Sequence, residues 1–315
     1  MKKILVVIDL KDDEKQMFLD ACKDVSITFC NRKDVSENML NEYDGVVGNL
    51  TPKLLKNKTN IKWVHLESAG AEQYLDIDSN IVITNSTGAY GEAMAEYMIA
   101  YIFAIYKRVN EYINAQKNRS WEYLGQVSRV ANSKVLAVGL GDIGCTFGKK
   151  MNALGAKVYG VKRTVGKNPQ YIEDIYTFEK IDEILGEMDI VALSLPSTKE
   201  TYKFFDYDRL KKLKKGAVLI NVGRGITVDT DALIKVLNEG HLLGVYLDVV
   251  DPEPLPINSK LWQFDNVLIT PHVSGNYSMQ YTFERVIQIA IDNINKYSKG
   301  IDLDNIVDRE KGYKK

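Results

Sequence analysis

Arg224 in LINVGRG, Glu253 in DVVDPEPLP and His272 in TPHVSG each lie just beyond a short apolar run of the strand-forming kind. A guanidinium, a carboxylate and an imidazole brought together suit the reduction of a carbonyl. The cation holds and polarises the substrate, the imidazole protonates the new alkoxide, and the carboxylate tunes the imidazole. Three histidines compete for the acid's part. His65 lies inside the apolar run WVHL and reads as a satisfied core group. His241, in NEGHLLG, reads as a loop residue at the end of a helix. His272 follows a strand and Pro271, where side chains reach the carboxyl edge of a parallel sheet, the edge at which open α/β folds bind ligands. Each of the three loops also has an ordinary surface reading, so their convergence is an expectation put to the structure.

A second chemistry-bearing stretch is GLGDIG. Gly139, Gly141 and Gly144 form GxGxxG between the strand-like KVLAVGL and a helix that starts near Ile143, with Asp142 and Ile143 counted among the cofactor-binding residues. The first glycine permits a tight turn, the second lets backbone approach a pyrophosphate, and the third lets helix and strand pack closely. The helix N-terminus offers N–H groups to anionic oxygens. An acid about twenty residues further on is expected to bind a ribose hydroxyl. In VYGVKRT the strand ends in Lys162, Arg163 and Thr164 instead. A cation about 4 Å from a ribose 2′-phosphate gains about 4 kcal/mol at an effective dielectric of 20. Arg163 can fork onto phosphate oxygens and Thr164 can donate to them. The expectation is NADP(H) in preference to NAD(H); the alternative is a solvated basic loop.

Positioning these loops is the work of strands and helices in strict alternation. ILVVI, SITFC, GVVG and WVHL read as strands, with amphipathic segments such as EKQMFLDAC between them. From Lys134 the pattern restarts with KVLAVGL, KVYGV, DIVALSL, AVLINV, GVYLDVV and NVLIT. Such alternation implies two α/β units, each with a parallel sheet covered on both faces. Between them, 89–118 carries Met94, Met98, Ile102 and Ile105 at helical spacing with neither Gly nor Pro after Gly91, and reads as one connecting helix. A second helix is expected over 283–294, with Val286, Ile287, Ala290 and Ile294 on one side. The charged tail after Gly300 reads as peripheral. Tyr207 and Lys211 spell Y-x-x-x-K but fit one exposed face of a short helix.

Composition narrows the function classes. A chain of 315 residues exceeds what one core usually organises. With 41 basic against 42 acidic residues there is no broad basic field, which argues against nucleic acid as a partner. The apolar run of MKKILVVIDL stops at Asp9, too soon for a secretory segment, and the stretch around Met98–Ile105 is too short to span a membrane. Cys22, Cys30 and Cys145 lack metal-ligand spacing, so no metal is expected and a reduced, cytoplasmic setting is. In that setting N-x-S/T triplets, such as the one at Asn57, carry no weight.

Taken in order, GLGDIG, LSLPSTKET, LKKGAVLINVGRG, VDTDAL, YLDVVDPEPLP and LWQFDNVLITPHVSG resemble the D-isomer-specific 2-hydroxyacid dehydrogenase family across the whole second unit. WVHLESAG, ITNSTGAYGEAMAEYM and the spacing to RSW extend the likeness, more loosely, to the first half. Within the family the chain is most similar to the glyoxylate/hydroxypyruvate reductase type, where a basic strand end accompanies NADPH use. Two departures stand out: Val250 where an aromatic residue is common, and Glu72 where Asp is common.

The resemblance implies a Rossmann dinucleotide-binding domain over 99–278 inserted into a flavodoxin-like substrate domain made from 1–98 and 279–315. It implies that Arg224 grips the carboxylate and carbonyl of a small 2-oxo acid, that His272 gives the proton, and that Glu253 is its partner, its negative charge favouring imidazolium. Ser68, Ala69, Gly70 and Ala71 would cradle the substrate carboxylate with backbone N–H groups. Leu195, Pro196, Val222 and Gly223 would line the cofactor, with Asp248 near the nicotinamide carboxamide. A homodimer exchanging the region around 89–121 is implied as well. The competing class is a dinucleotide-sensing, corepressor-like binding protein on the same scaffold, which would need a peptide-docking surface.

Overall fold

The computed structural model describes residues 1–56, 60–164 and 168–314, so the triplet at Asn57 lies outside the described residues. The chain divides into two compact units, Met1–Ala89 with Tyr277–Lys315, and Tyr90–Asn276. The breaks thus fall at 89/90 and 276/277 rather than at 98/99 and 278/279. A cut at 98/99 would pass through a helix that packs on the helix Asp142–Ala153 and the strands Val218–Asn221 and Gly244–Leu247 of the second unit.

In the first unit β1 (Lys2–Val6), α1 (Asp12–Ala21), β2 (Val25–Phe29), α2 (Glu37–Leu40), β3 (Gly45–Val47), β4 (Trp63–Leu66) and β5 (Val82–Asn85) follow one another. The strands form a parallel sheet in the order β2-β1-β3-β4-β5, the flavodoxin-like arrangement. α1 starts where it does because Asp12, Asp13 and Glu14 complement the helix N-terminus, and the Glu14 carboxylate accepts from the Lys11 N–H at 2.7 Å.

The second unit opens with α3 (Gly91–Tyr106) and α4 (Val109–Lys117). The single helix expected over 89–118 is broken at Arg108, which adopts φ 57°, so the α4 axis departs from that of α3. The reason lies in burial. α3 buries Ala93, Met94, Ala95, Met98, Ile102 and Tyr106, whereas α4 buries none of its residues. Then come β6 (Lys134–Val138), α5 (Asp142–Ala153), β7 (Lys157–Val161), β8 (Asp174–Tyr176), β9 (Ile190–Leu193), α6 (Tyr207–Lys212), β10 (Val218–Asn221), α7 (Thr230–Asn238), β11 (Gly244–Leu247) and β12 (Val267–Ile269).

Their sheet runs β12-β11-β10-β9-β6-β7-β8, all parallel, a doubly wound Rossmann order that reverses between β6 and β9. β9, β10 and β11 are buried at every position because helices cover both faces, which is why they read as unbroken apolar runs. Each fully buried Val, Leu or Ile there stabilises by about 1.5–3 kcal/mol. α3 lies against this sheet so closely that a Cβ on Gly244 would sit 2.7 Å from Ile105, and Tyr101 stacks on Tyr246 at 3.9 Å.

The chain returns to the first unit through α8 (Gln280–Lys299), β13 (Val307–Asp308) and β14 (Tyr313–Lys314). α8 buries Val286, Ile287, Ala290, Ile291 and Ile294 and ends at Gly300, whose φ of +66° terminates the helix. The tail beyond is structural rather than peripheral. Arg309 donates to the carbonyls of Leu75, Ile77, Asp78 and Ile81 at 2.6–3.1 Å, and Asn305 to those of Asn85 and Thr87. The tail thus supplies donors to backbone carbonyls of the 75–87 segment.

Candidate active site

The glycine turn is built as its spacing requires. Gly139 takes φ +100°, and a Cβ there would meet the Ser194 carbonyl at 2.9 Å. A Cβ on Gly144 would lie 1.8 Å from the Gly139 carbonyl, which the Ser194 hydroxyl also caps at 3.0 Å. A Cβ on Gly141 would instead meet nothing within 4 Å, in the space before the first turn of α5. That open cradle and the N–H groups of Asp142, Ile143 and Gly144, which precede the first helical bond from Cys145 to Gly141, fit a pyrophosphate. The Asp142 side chain is engaged elsewhere. It accepts from the Gly91 N–H at 2.9 Å, holding the start of α3 against α5.

At the end of β7, Lys162 is partly buried and its N–H is tied to Tyr176, while Arg163 and Thr164 are exposed. Arg163 makes an ion pair with Glu200 at 2.7 Å. Glu200 stands on the loop after β9, the loop that carries Leu195 and Pro196. Leu195 is buried and Pro196 partly so, and the Pro196 carbonyl accepts from Thr201 at 2.7 Å. Val222 is buried, and a Cβ on Gly223 would lie 2.6 Å from the Leu195 backbone, so the loops after β9 and β10 touch backbone to backbone. Two participants here, Glu200 and Asn221, carry no signal in the linear sequence. Asn221 is buried and donates to the Arg224 carbonyl at 3.0 Å while accepting from the Gly223 N–H, which fixes the loop that presents Arg224.

Arg224, Glu253 and His272 sit beyond β10, β11 and β12, three neighbouring strands of one sheet. His272 Nδ1 lies 3.0 Å from Glu253 Oε2, and Glu253 Oε1 accepts from the Val250 N–H at 3.2 Å. The Arg224 loop packs on the same segment, because a Cβ on Gly225 would fall 1.9 Å from the Val250 carbonyl. Arg224 itself is partly buried, with one guanidinium nitrogen donating to the Gly223 carbonyl at 2.8 Å. His272 holds φ +54°, uncommon for a residue with a Cβ.

Asp248 explains how that backbone is held. Buried to 1 % exposure, its carboxylate accepts from the Thr270 hydroxyl at 2.5 Å, from the Val273 N–H at 2.9 Å, and from the Ser274 N–H and hydroxyl. The His272 N–H completes the anchorage on the Asp248 carbonyl. The carboxylate expected beside a nicotinamide carboxamide is therefore engaged by the TPHVS loop.

In the first unit the Ser68–Ala71 loop follows β4. Its carbonyls are all taken: Ser68 by the Ser86 N–H, Ala69 by Asn85 at 2.6 Å, Gly70 by the Ser68 hydroxyl, Ala71 by the Tyr74 N–H. What the loop can offer an anion is N–H donors. His65, on β4 itself, is fully buried between Thr84 and Ser86, and burial drives its pKa down to about 3. It is a neutral core histidine. His241 follows α7 and meets the Leu213 carbonyl at 2.8 Å, and Tyr207 and Lys211 both bind Glu239. Among the described residues no cluster of His, Cys, Asp or Glu could hold a metal ion, and no helix is long and apolar enough to cross a membrane.

Comparison with known proteins agrees with this geometry. Residues 99–274 match the family model described as D-isomer specific 2-hydroxyacid dehydrogenase, NAD binding domain. A glyoxylate reductase of Thermofilum pendens is 31% identical over 290 residues, 86% of this chain and 82% of that protein. Among solved structures, a D-isomer specific 2-hydroxyacid dehydrogenase family protein of Aeromonas salmonicida gives a TM-score of 0.86 at 27% identity, covering 98% of this chain and 99% of that one. A D-isomer specific 2-hydroxyacid dehydrogenase of Xanthobacter autotrophicus, solved with NADPH and MES, gives 0.83 at 26%, covering 99% of each chain. The likeness runs through both units and not the dinucleotide fold alone, and on that footing the chain belongs to the D-isomer specific 2-hydroxyacid dehydrogenase family, as an NAD(P)-dependent enzyme.

Proposed function

We propose that the enzyme reduces a small 2-oxo acid, of the glyoxylate or hydroxypyruvate kind, to the D-2-hydroxy acid, and that it uses NADPH in preference to NADH. The observation that carries this reading is the 3.0 Å pair of Glu253 and His272 beside the loop of Arg224. The reduced nicotinamide, when bound, supplies the hydride that adds to C2 of the substrate. Arg224 holds the substrate's carboxylate and carbonyl oxygen and takes up the charge that grows on that oxygen as the C=O electron pair moves onto it. His272, its Nδ1 fixed by Glu253, delivers a proton from Nε2 to the alkoxide and leaves as neutral imidazole, to be reprotonated from solvent. Glu253 offsets the positive ring before transfer and orients it throughout. The N–H donors of Ser68–Ala71 serve the substrate carboxylate.

For the cofactor, Gly139, Gly141 and the first turn of α5 would hold the pyrophosphate, and Leu195, Pro196, Val222 and Gly223 would line its path. Lys162, Arg163 and Thr164 would meet the 2′-phosphate. The NADPH of the Xanthobacter protein supports this choice. We also propose a homodimer, built on the apolar surface that α4 and the segment after it leave open: Tyr112, Ile113, Trp121, Tyr123 and Val127 are all exposed.

The test is oxidation of NADPH and NADH by glyoxylate and hydroxypyruvate in the wild type and in His272→Ala. The variant is expected to lose about 10²- to 10⁴-fold in kcat while still binding NADPH. Full turnover by His272→Ala would remove the mechanism, and an equal or higher kcat/KM for NADH would remove the cofactor preference.

A further inference from the structure

The first unit has a cavity of about 500 Å³ at the carboxyl edge of its sheet, walled in part by Arg32, Asn49, Ser68, Gly70, Glu72 and Gln73. It adjoins the loop to which the substrate carboxylate has been assigned, and the inference rests on that assignment. Arg32 comes from the loop after β2, Asn49 from that after β3, and Glu67, directly behind the wall, from the end of β4. Glu67 has only 10 % of its side chain exposed, yet it is ionisable and sits among apolar strands. Its position is explained by what it holds: it accepts from the Arg32 guanidinium, from the Asn49 N–H at 3.3 Å and from the Tyr277 hydroxyl at 3.5 Å. The pair fixes a guanidinium at the cavity wall, 45 % exposed, with its charge already balanced. Beside it, the Asn49 side-chain oxygen is buried with no hydrogen-bond partner among the described residues, an acceptor for which the chain supplies no donor.

We infer that this cavity reads the substituent on C2 of the substrate, and that it selects an uncharged chain bearing hydroxyl groups. Three classes of substituent can be weighed against its lining. An aliphatic chain would strip water from Arg32, Glu67 and Glu72 and return no hydrogen bond. A second carboxylate would face one cation against two carboxylates, and the cation is already paired. A hydroxyl accepts from Arg32 and donates to Glu72. The space also exceeds what a hydroxymethyl group needs, since that group takes up no more than about two waters of about 30 Å³ each. Hydroxylated 2-oxo acids of four or more carbons therefore fit the cavity better than the shortest members of the class.

Three four-carbon acids of equal length separate the classes: 3,4-dihydroxy-2-oxobutanoate, 2-oxobutanoate and oxaloacetate, each compared with glyoxylate, which has no carbon substituent. The wild type is expected to rank the dihydroxy acid first in kcat/KM, by about tenfold or more over the other two. Arg32→Ala alone would leave Glu67 buried without its cation, so the decisive variant is the double Arg32→Met, Glu67→Met, which replaces the pair by apolar groups of similar volume. In it the ratio of kcat/KM for the dihydroxy acid to that for 2-oxobutanoate should fall about tenfold, with Arg32→Lys intermediate. An unchanged ratio in a folded double variant, or a wild-type ranking led by 2-oxobutanoate or oxaloacetate, overturns the inference. Absence of turnover of all four acids with either reduced nicotinamide in the wild type would instead overturn the proposed function itself, so the two failures are distinguishable.

Discussion

At the scale of single residues the site is defined by which carboxylate is committed to what. Asp248 and Glu253 both follow β11, yet one is sealed beneath the loop and the other pairs with the imidazole. Because Asp248 accepts from four donors of residues 270–274, Asp248→Asn replaces an acceptor by an amide N–H facing donors. That change is expected to release the strained backbone of His272. kcat should fall about tenfold or more. NADPH affinity, read by quenching of protein fluorescence, should stay where it was; weaker NADPH binding with unchanged kcat would show that Asp248 serves the nicotinamide rather than the loop. Glu200 offers a second residue-scale test. Its pairing with Arg163 sets a carboxylate beside the cations proposed for the 2′-phosphate. Glu200→Gln is expected to tighten NADP⁺ binding about threefold and leave NAD⁺ unaffected, the effect shrinking as salt is added. An equal change for both nucleotides would mean that Glu200 only supports its loop.

At the scale of elements, β4 and β5 bury a titratable group, His65, between them. His65 has a folded pKa of about 3 against an ordinary 6.5, because burial penalises the charged ring. Between those values the unfolded chain binds a proton that the native state refuses. This contribution to stability is therefore complete above about pH 6.5 and is lost progressively as pH falls toward 3. The full effect is on the order of several kcal/mol, at about 1.4 kcal/mol per unit. His65→Gln, which can still bond Thr84 or Ser86 but does not titrate there, should flatten the loss of the protein's melting temperature between pH 7 and 4.5. An acid slope unchanged from the wild type would show that other groups govern it. Elements also show where periodicity misleads. α3 and α4 share helical spacing, but only α3 has a sheet to cover, and the chain turns at Arg108 once the burial ends.

At the scale of the whole molecule, the proposed dimer gives a test that needs no substrate. Sedimentation equilibrium at micromolar concentration should return twice the chain mass. Trp121→Ser with Tyr123→Ser should shift the balance toward monomer, since such aromatics supply much of an interface's energy. A wild-type monomer under those conditions would leave the exposed aromatics without the role proposed for them. Much of the molecule was already legible in the linear chain. Alternating apolar runs determined two parallel-sheet units, glycine spacing determined the turn before α5, and the positions of Arg224, Glu253 and His272 after apolar runs placed them at strand ends. These are local properties, set by side-chain period and by φ, and they survive in one dimension. Tertiary structure alone decided the partners of the charged groups: Asp142 with Gly91, Arg163 with Glu200, Arg32 with Glu67, Asp248 with the TPHVS loop, and Arg309 with the carbonyls of 75–81. A carboxylate or guanidinium reaches only a few ångströms, so its function depends on which distant loop the sheet order brings beside it, and no local spacing encodes that neighbour.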